Sequence, residues 1–167
     1  MNLKNSLLAL TLLVFVGFAA SAQEKPSPAK TAEGMVGDAK ITINYSSPAV
    51  KGRTIWGDLV PLGEVWRAGA NEATTFTTTK DIMVEGKKLP AGTYSFYIIP
   101  NETESTMIFN KVAKQWGTVY DAKQDELRVT VPSGQTSSME ERLVYEVKPQ
   151  SFEIRWEYGK ASASLSN

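Results

Sequence analysis

Beyond residue 34, apolar and polar side chains alternate with a period of two along most of the chain, a spacing that predicts β-strands rather than helices. Ile41, Ile43 and Tyr45 fall on one face of the first such run, and Lys40, Thr42 and Asn44 on the other. In ELRVTVP, Leu127, Val129 and Val131 share a face; in RLVYEVK, Leu143, Tyr145 and Val147 do. TYSFYIIP, residues 93–100, is apolar on both faces and predicts a central strand buried between two layers. The breaks agree. EGKKLPAG, residues 85–92, sets Gly and Pro between two strand-like runs, and YGKA, residues 158–161, reads as a two-residue hairpin loop of the primed kind. No stretch longer than two turns has helical spacing, and no internal repeat occurs. About ten short strands, with turn signals about every 8–12 residues, predict an all-β fold: an antiparallel two-sheet β-sandwich, jelly-roll or immunoglobulin-like in form.

Three stretches depart from the alternation. The first 22 residues carry Lys4, an apolar run over 7–16 and the small residues Ala20-Ser21-Ala22, which together predict a signal peptide cleaved after Ala22. The run is short for a bilayer span, and no Cys follows to accept a lipid, so the product is expected to be periplasmic or secreted with no membrane span after processing. Residues 23–34, QEKPSPAKTAEG, lack periodicity and read as a disordered leader, leaving 35–167 as a single β-sandwich domain. The third stretch is 52–72, GRTIWGDLVPLGEVWRAGANE. It holds two of the four Trp together with Arg53 and Arg67. Ile55, Trp56, Leu59 and Val60 argue against disorder, and a short helical turn over residues 55–59, stopped by Pro61, would dock them on the sheet edge.

Composition narrows the chemistry. Removing the signal peptide takes Lys4 and no acid, leaving 17 basic against 18 acidic residues, without the positive excess that nucleic-acid binding requires. With no Cys, no disulfide supports the fold. With no His either, His-based triads, Cys nucleophiles and the usual zinc, copper or haem ligand sets are excluded. Carboxylate acid-base work, Ser-Lys chemistry, oxygen-ligated metals or no catalysis remain. No cofactor is expected.

PAVKGRTIWGDLVPLGEVWRAGANEATTF (48–76), GKKLPAGTYSFYIIP (86–100), IFNK (108–111), QWG (115–117) and DELRV (125–129) together resemble an exported bacterial family of unknown function, numbered 2911 and common in Bacteroidetes. The likeness covers nearly all of the chain after the leader. It implies an envelope or secreted protein and brings no catalytic residues with it. The LPAGTY turn is also similar to turns in transthyretin-like and carboxypeptidase-regulatory sandwiches.

The strongest candidate surface is Trp66, Arg67, Asn71, Glu72 and Thr74, joined from other loops by Arg53, Gln115, Trp116 and Arg128. Trp and Arg beside an amide and a carboxylate can hold a sugar by stacking and paired hydrogen bonds, or an anionic group through two guanidiniums. The plainer alternative makes Trp66 core, pairs Arg67 with Glu72 or Glu64, and uses Asn71 to cap a turn. Glu64 with Glu72, or Asp121, Asp125 and Glu126, offer carboxylates for glycoside hydrolysis. DAKQDE lacks the spacing of a calcium loop, and Ser46-Ser47-Pro48 reads as turn chemistry rather than a nucleophile. The expected function is a non-catalytic cell-envelope module that recognises a carbohydrate, peptide or envelope protein through the 52–72 loop. A carboxylate-dependent glycan hydrolase and a structural envelope assembly protein are the alternatives.

Overall fold

The computed structural model describes residues 26–167; the expected signal peptide and residues 23–25 of the expected leader lie outside them. Nine strands follow in chain order: β1 (Ala29–Val36), β2 (Ala39–Ser46), β3 (Thr74–Thr78), β4 (Ile82–Val84), β5 (Lys87–Leu89), β6 (Gly92–Ile99), β7 (Glu104–Asn110), β8 (Asp125–Lys148) and β9 (Ser151–Ser166). A single 3₁₀ turn, Ala122–Gln124, precedes β8. Hydrogen bonds join all nine strands into one antiparallel sheet in the order β1-β2-β3-β6-β7-β8-β9-β4-β5. Among the described residues no helix is long and apolar enough to cross a membrane.

The alternation read from the sequence sets the inward face. Ile41, Ile43 and Tyr45 are buried on β2, as are Val129 and Val131 on β8 and Leu143 and Tyr145 farther along it. Rings then join strands that lie far apart in the hydrogen-bonded order. Phe76 on β3 meets Phe109 on β7 at a centroid distance of 5.1 Å and Phe152 on β9 at 5.2 Å, and Phe96 on β6 meets Phe152 at 5.6 Å. The sheet therefore folds over on itself around a phenylalanine centre. Burying one such side chain stabilises the fold by about 1.5–3 kcal/mol.

β8 makes the fold-over feasible because it changes partner along its length. It pairs with β7 as far as Pro132 opposite Glu104, and with β9 from Ser133 onward. Proline has no N–H to give a ladder, so the switch falls where one donor is missing. Two long strands thus replace several of the short ones that the spacing predicts, and one continuous ladder runs where two sheets are expected. β6 is buried on both faces, as its sequence requires, but the second cover is a loop: Tyr97 Oη donates to Val119 O at 2.8 Å, and its ring meets Tyr120 at 4.9 Å.

Three local expectations are corrected. Residues 29–34 are not a disordered leader but most of β1, paired with β2 from Ala29–Ser46 to Val36–Ala39. Its weak pattern suits an edge strand, and Gly34 fits there because a Cβ would come within 2.9 Å of Val147 Cβ. Residues 158–161 are not a hairpin loop but the middle of β9; the chain reverses instead at residues 149–150, between Lys148 and Ser151. Over residues 55–60 the chain forms a tight turn rather than a helical one, with Val60 N–H donating to Ile55 O and Gly57 N–H to Val60 O. Ile55 and Val60 are buried as expected, while Leu59 points out.

Candidate functional site

The irregular 52–72 stretch is held by backbone bonds to two strands. Beyond the end of β3, Trp66 and Ile98 of β6 exchange N–H···O bonds of 2.8 and 2.9 Å, and Gly63 N–H donates to Pro100 O. Just upstream, Val50 N–H donates to Glu141 O, and Leu143 N–H to Pro48 O. These anchors carry Trp56 and Trp66 to β9, where the alternation Phe152, Ile154, Trp156 turns Trp156 inward.

The three indoles pack together. Trp66 and Trp156 are stacked, with centroids 5.9 Å apart and planes 14° apart. Trp56 stands edge-on to both, at 5.6 Å and 6.3 Å. Its Nε1 donates to Trp156 O at 3.1 Å, which lays the ring on the β9 backbone. Gly159 allows this approach: a Cβ there would overlap the Trp56 indole, 2.6 Å from Cε2. This is the reason the chain has glycine in YGKA. Its φ is not left-handed, and the positive φ in this part of β9 belongs to Glu157, at 54°. The neighbouring ladder is irregular as well, since β8 slips register against β9 on both sides of Glu140. Bulges of this kind bend strands and re-aim side chains next to binding sites.

The bend opens a groove of about 670 Å³. Trp56, Trp66 and Trp156 form its aromatic wall, with Tyr158 half-exposed at 50%. Asn101, Ser105, Ser133 and Gln135 supply polar groups, and Glu102, Glu157 and Lys160 supply charges. Trp156 is 2% exposed, and its Nε1 is the one buried side-chain N or O among the described residues that lacks a hydrogen-bond partner. A buried donor of this kind costs about 1–3 kcal/mol. A second depression, of about 410 Å³, shares Trp66 and Trp156 with the first and is lined by Lys51, Arg53 and Arg67.

The residues singled out from sequence do not gather in one place. Arg53, Trp66 and Arg67 meet at the second depression. Arg67 pairs with no acid among the described residues; its Nε donates to Gly69 O and its Nη1 to Asn71 O, both at 3.3 Å, and its stem lies against Gly117. Asn71 takes a left-handed turn at φ 60° and accepts from Gly117 N–H, while Glu72 bridges to Trp116, which is 51% exposed. Gln115 faces inward and donates to Tyr97 Oη at 2.8 Å and to Ser95 Oγ at 3.3 Å. Thr74 is buried and donates to Ala68 O at 2.9 Å. Arg128 stands apart from the 52–72 stretch, bonded to Asp125 at 2.7 Å and to Tyr120 Oη at 2.6 Å. Trp66 is neither free surface nor core: it packs on the core and lines both depressions.

Of the acids that spacing offered for hydrolysis, Asp121 caps the 3₁₀ turn, and Asp125 accepts from Asn110, Tyr120 and Arg128. Burial, and then the Asp125 carboxylate, push the Tyr120 phenol up to about 12. Ser47 Oγ donates to Leu143 O at 2.7 Å, a buried structural bond. Among the described residues no group of three or more acids gathers as a metal site. Trp156 was not legible as a site residue because it sits in an alternating run, and Tyr158 because it reads as the start of a hairpin loop.

A family model described as Protein of unknown function (DUF2911) matches residues 27–165, and the chain belongs to that family. No curated protein and no solved structure matches it.

Proposed function

We propose that this member of the DUF2911 family is a non-catalytic binding module, exported to the periplasm or beyond, that holds a carbohydrate chain in the tryptophan-walled groove. The supporting observation is the meeting, in one groove, of the partly buried Trp56 and Trp66 rings and the half-exposed Tyr158 ring with a polar rim and the unpartnered Trp156 indole N–H. Sugar rings present apolar faces that stack on such rings and hydroxyls that pair with amides and carboxylates. The 52–72 stretch contributes two of the three indoles, so the segment expected to recognise a partner shapes the groove. In this reading the folded-over sheet acts as the two layers of a jelly-roll or immunoglobulin-like sandwich, and the groove opens at one end of it.

Calorimetric titration with neutral oligosaccharides tests the reading. Tyr158→Ala, at an exposed position, should weaken binding about five- to thirty-fold, as losing about 1–2 kcal/mol of ring contact would, with an unchanged melting temperature. Binding indifferent to Tyr158 and to Trp56 would sink it.

A second reading has one specific observation in its favour. Glu102 and Glu157 both line the groove, as glycan hydrolysis by carboxylates alone would require. Glu157→Gln would then abolish reducing-end release while keeping binding. Absence of any release by the parent protein would remove this alternative.

A further inference from the structure

We infer that the smaller depression is an anion subsite, so that the saccharide held in the groove is an acidic one bearing carboxylate groups of the uronic-acid kind. The inference rests on the carbohydrate reading above. Lys51, Arg53 and Arg67 line the depression, and among the described residues no Asp or Glu does. The nearest acid in the bonding pattern, Glu141, accepts the backbone N–H of Lys51 at 2.9 Å.

The two arginines are held in place without being neutralised. Arg53 donates from Nε to Val50 O at 3.0 Å and from Nη2 to Ala49 O at 2.6 Å. Arg67 is held likewise by Gly69 O and Asn71 O. Carbonyl acceptors fix the guanidinium planes but carry no formal charge. Nη1 of Arg53 and Nη2 of Arg67 keep N–H groups with no partner among the described residues. Two other arginines are treated differently: Arg128 pairs with Asp125, and Arg155 with Glu140, Glu146 and Glu153. In a chain with equal numbers of acidic and basic residues, a depression lined by three cations and, among the described residues, by no acid is a local exception. Fixed guanidiniums with spare donors are the arrangement that recognises planar carboxylates and other oxyanions.

The shared wall connects the charge to the sugar. Trp66 and Trp156 line both depressions, so a chain lying on the aromatic wall carries its substituents to the cations. A free inorganic oxyanion would have the same charge chemistry without the stacking, and the two sources separate experimentally.

The experiment titrates the full mature chain with an oligogalacturonate, with the same oligomer as its methyl ester, and with inorganic sulfate. The ester keeps the ring and removes the charge. The acid form should bind at least tenfold more tightly than the ester at low salt, and the gap should narrow as salt is raised. In the double variant Arg53→Gln, Lys51→Gln, whose melting temperature is measured alongside, the ratio of the two affinities should fall toward one. Equal affinity for acid and ester in the parent protein would overturn the inference and leave the neutral-carbohydrate reading intact. An acid preference unchanged in the double variant would also overturn it. Sulfate bound as tightly as the oligogalacturonate would replace the acidic saccharide with a free anion. No binding of either sugar would remove the carbohydrate reading together with the inference.

Discussion

Two aromatic clusters share strand β9 and lead to different ends. In the first, Phe76, Phe96, Phe109 and Phe152 are fully buried, all come from strands, β3, β6, β7 and β9, with a register shift only after Phe109, and contain no polar atom to satisfy. In the second, Trp56, Trp66 and Trp156 pack at similar ring distances, yet two of them come from an irregular segment, the third lies beside a bulge, and one buried N–H lacks an acceptor. Ring packing alone therefore says little about role. Regular backbone and apolar rings close a core, whereas irregular backbone and polar-tipped rings keep one open. Proteins commonly depart from local consistency at sites that serve something other than stability.

The sharpest way to break this contrast is to empty one cluster. Phe96→Ala should destabilise the protein by about 3–5 kcal/mol, read as a shift in the chemical-denaturation midpoint. A cost under about 1 kcal/mol would mean that the phenylalanines are not the folding centre. The next largest effect is expected at Gly159→Ala. The added Cβ overlaps the Trp56 indole, so the variant should lose about 1–3 kcal/mol and shift tryptophan emission as the ring is pushed from β9. Unchanged emission would show that the ring does not rest on this glycine. Arg67→Ala should cost less, about 1–2 kcal/mol, because the side chain packs on Gly117 and bonds two carbonyls but pairs with no carboxylate. A loss of several kcal/mol would signal a buried charge pair instead.

The smallest expected effect belongs to neither cluster. Tyr120 ionises only at about 12, because burial and Asp125 favour the neutral phenol. A folded-state pKa above the unfolded value of 10.0 gives a contribution that is complete below pH 10 and lost as pH rises toward 12. Absorbance titration of Tyr120→Phe against the parent should remove a late-titrating phenol and lessen the alkaline loss of stability. An ionisation near pH 10 would contradict the bond to Asp125.

What the sequence made legible follows from where physical signals are local. Strands β2 and β6, and both halves of β8, were readable because burial on one or both faces writes itself directly into residue order. β1 was not, since an edge strand with Ala32 and Gly34 facing inward needs little hydrophobicity to pair. Gly159 was misread because a glycine that admits an approaching ring looks, in isolation, like one that makes a turn. Arg53, Trp66 and Arg67, grouped by their concentration in 52–72, line one depression. Arg128, more than fifty residues farther along, was grouped with them on residue type alone, and in the fold it bonds Asp125 and Tyr120 instead. Trp156 escaped notice because its neighbours alternate normally, and only the fold brings it to the other indoles.

The most direct test of the central claim is the affinity and the melting temperature of Tyr158→Ala and Phe96→Ala measured side by side with a bound oligosaccharide. The account predicts that Tyr158→Ala loses affinity and keeps stability, whereas Phe96→Ala loses stability and, below its melting temperature, keeps affinity. Loss of both properties in both variants, or unchanged affinity in Tyr158→Ala, would contradict it.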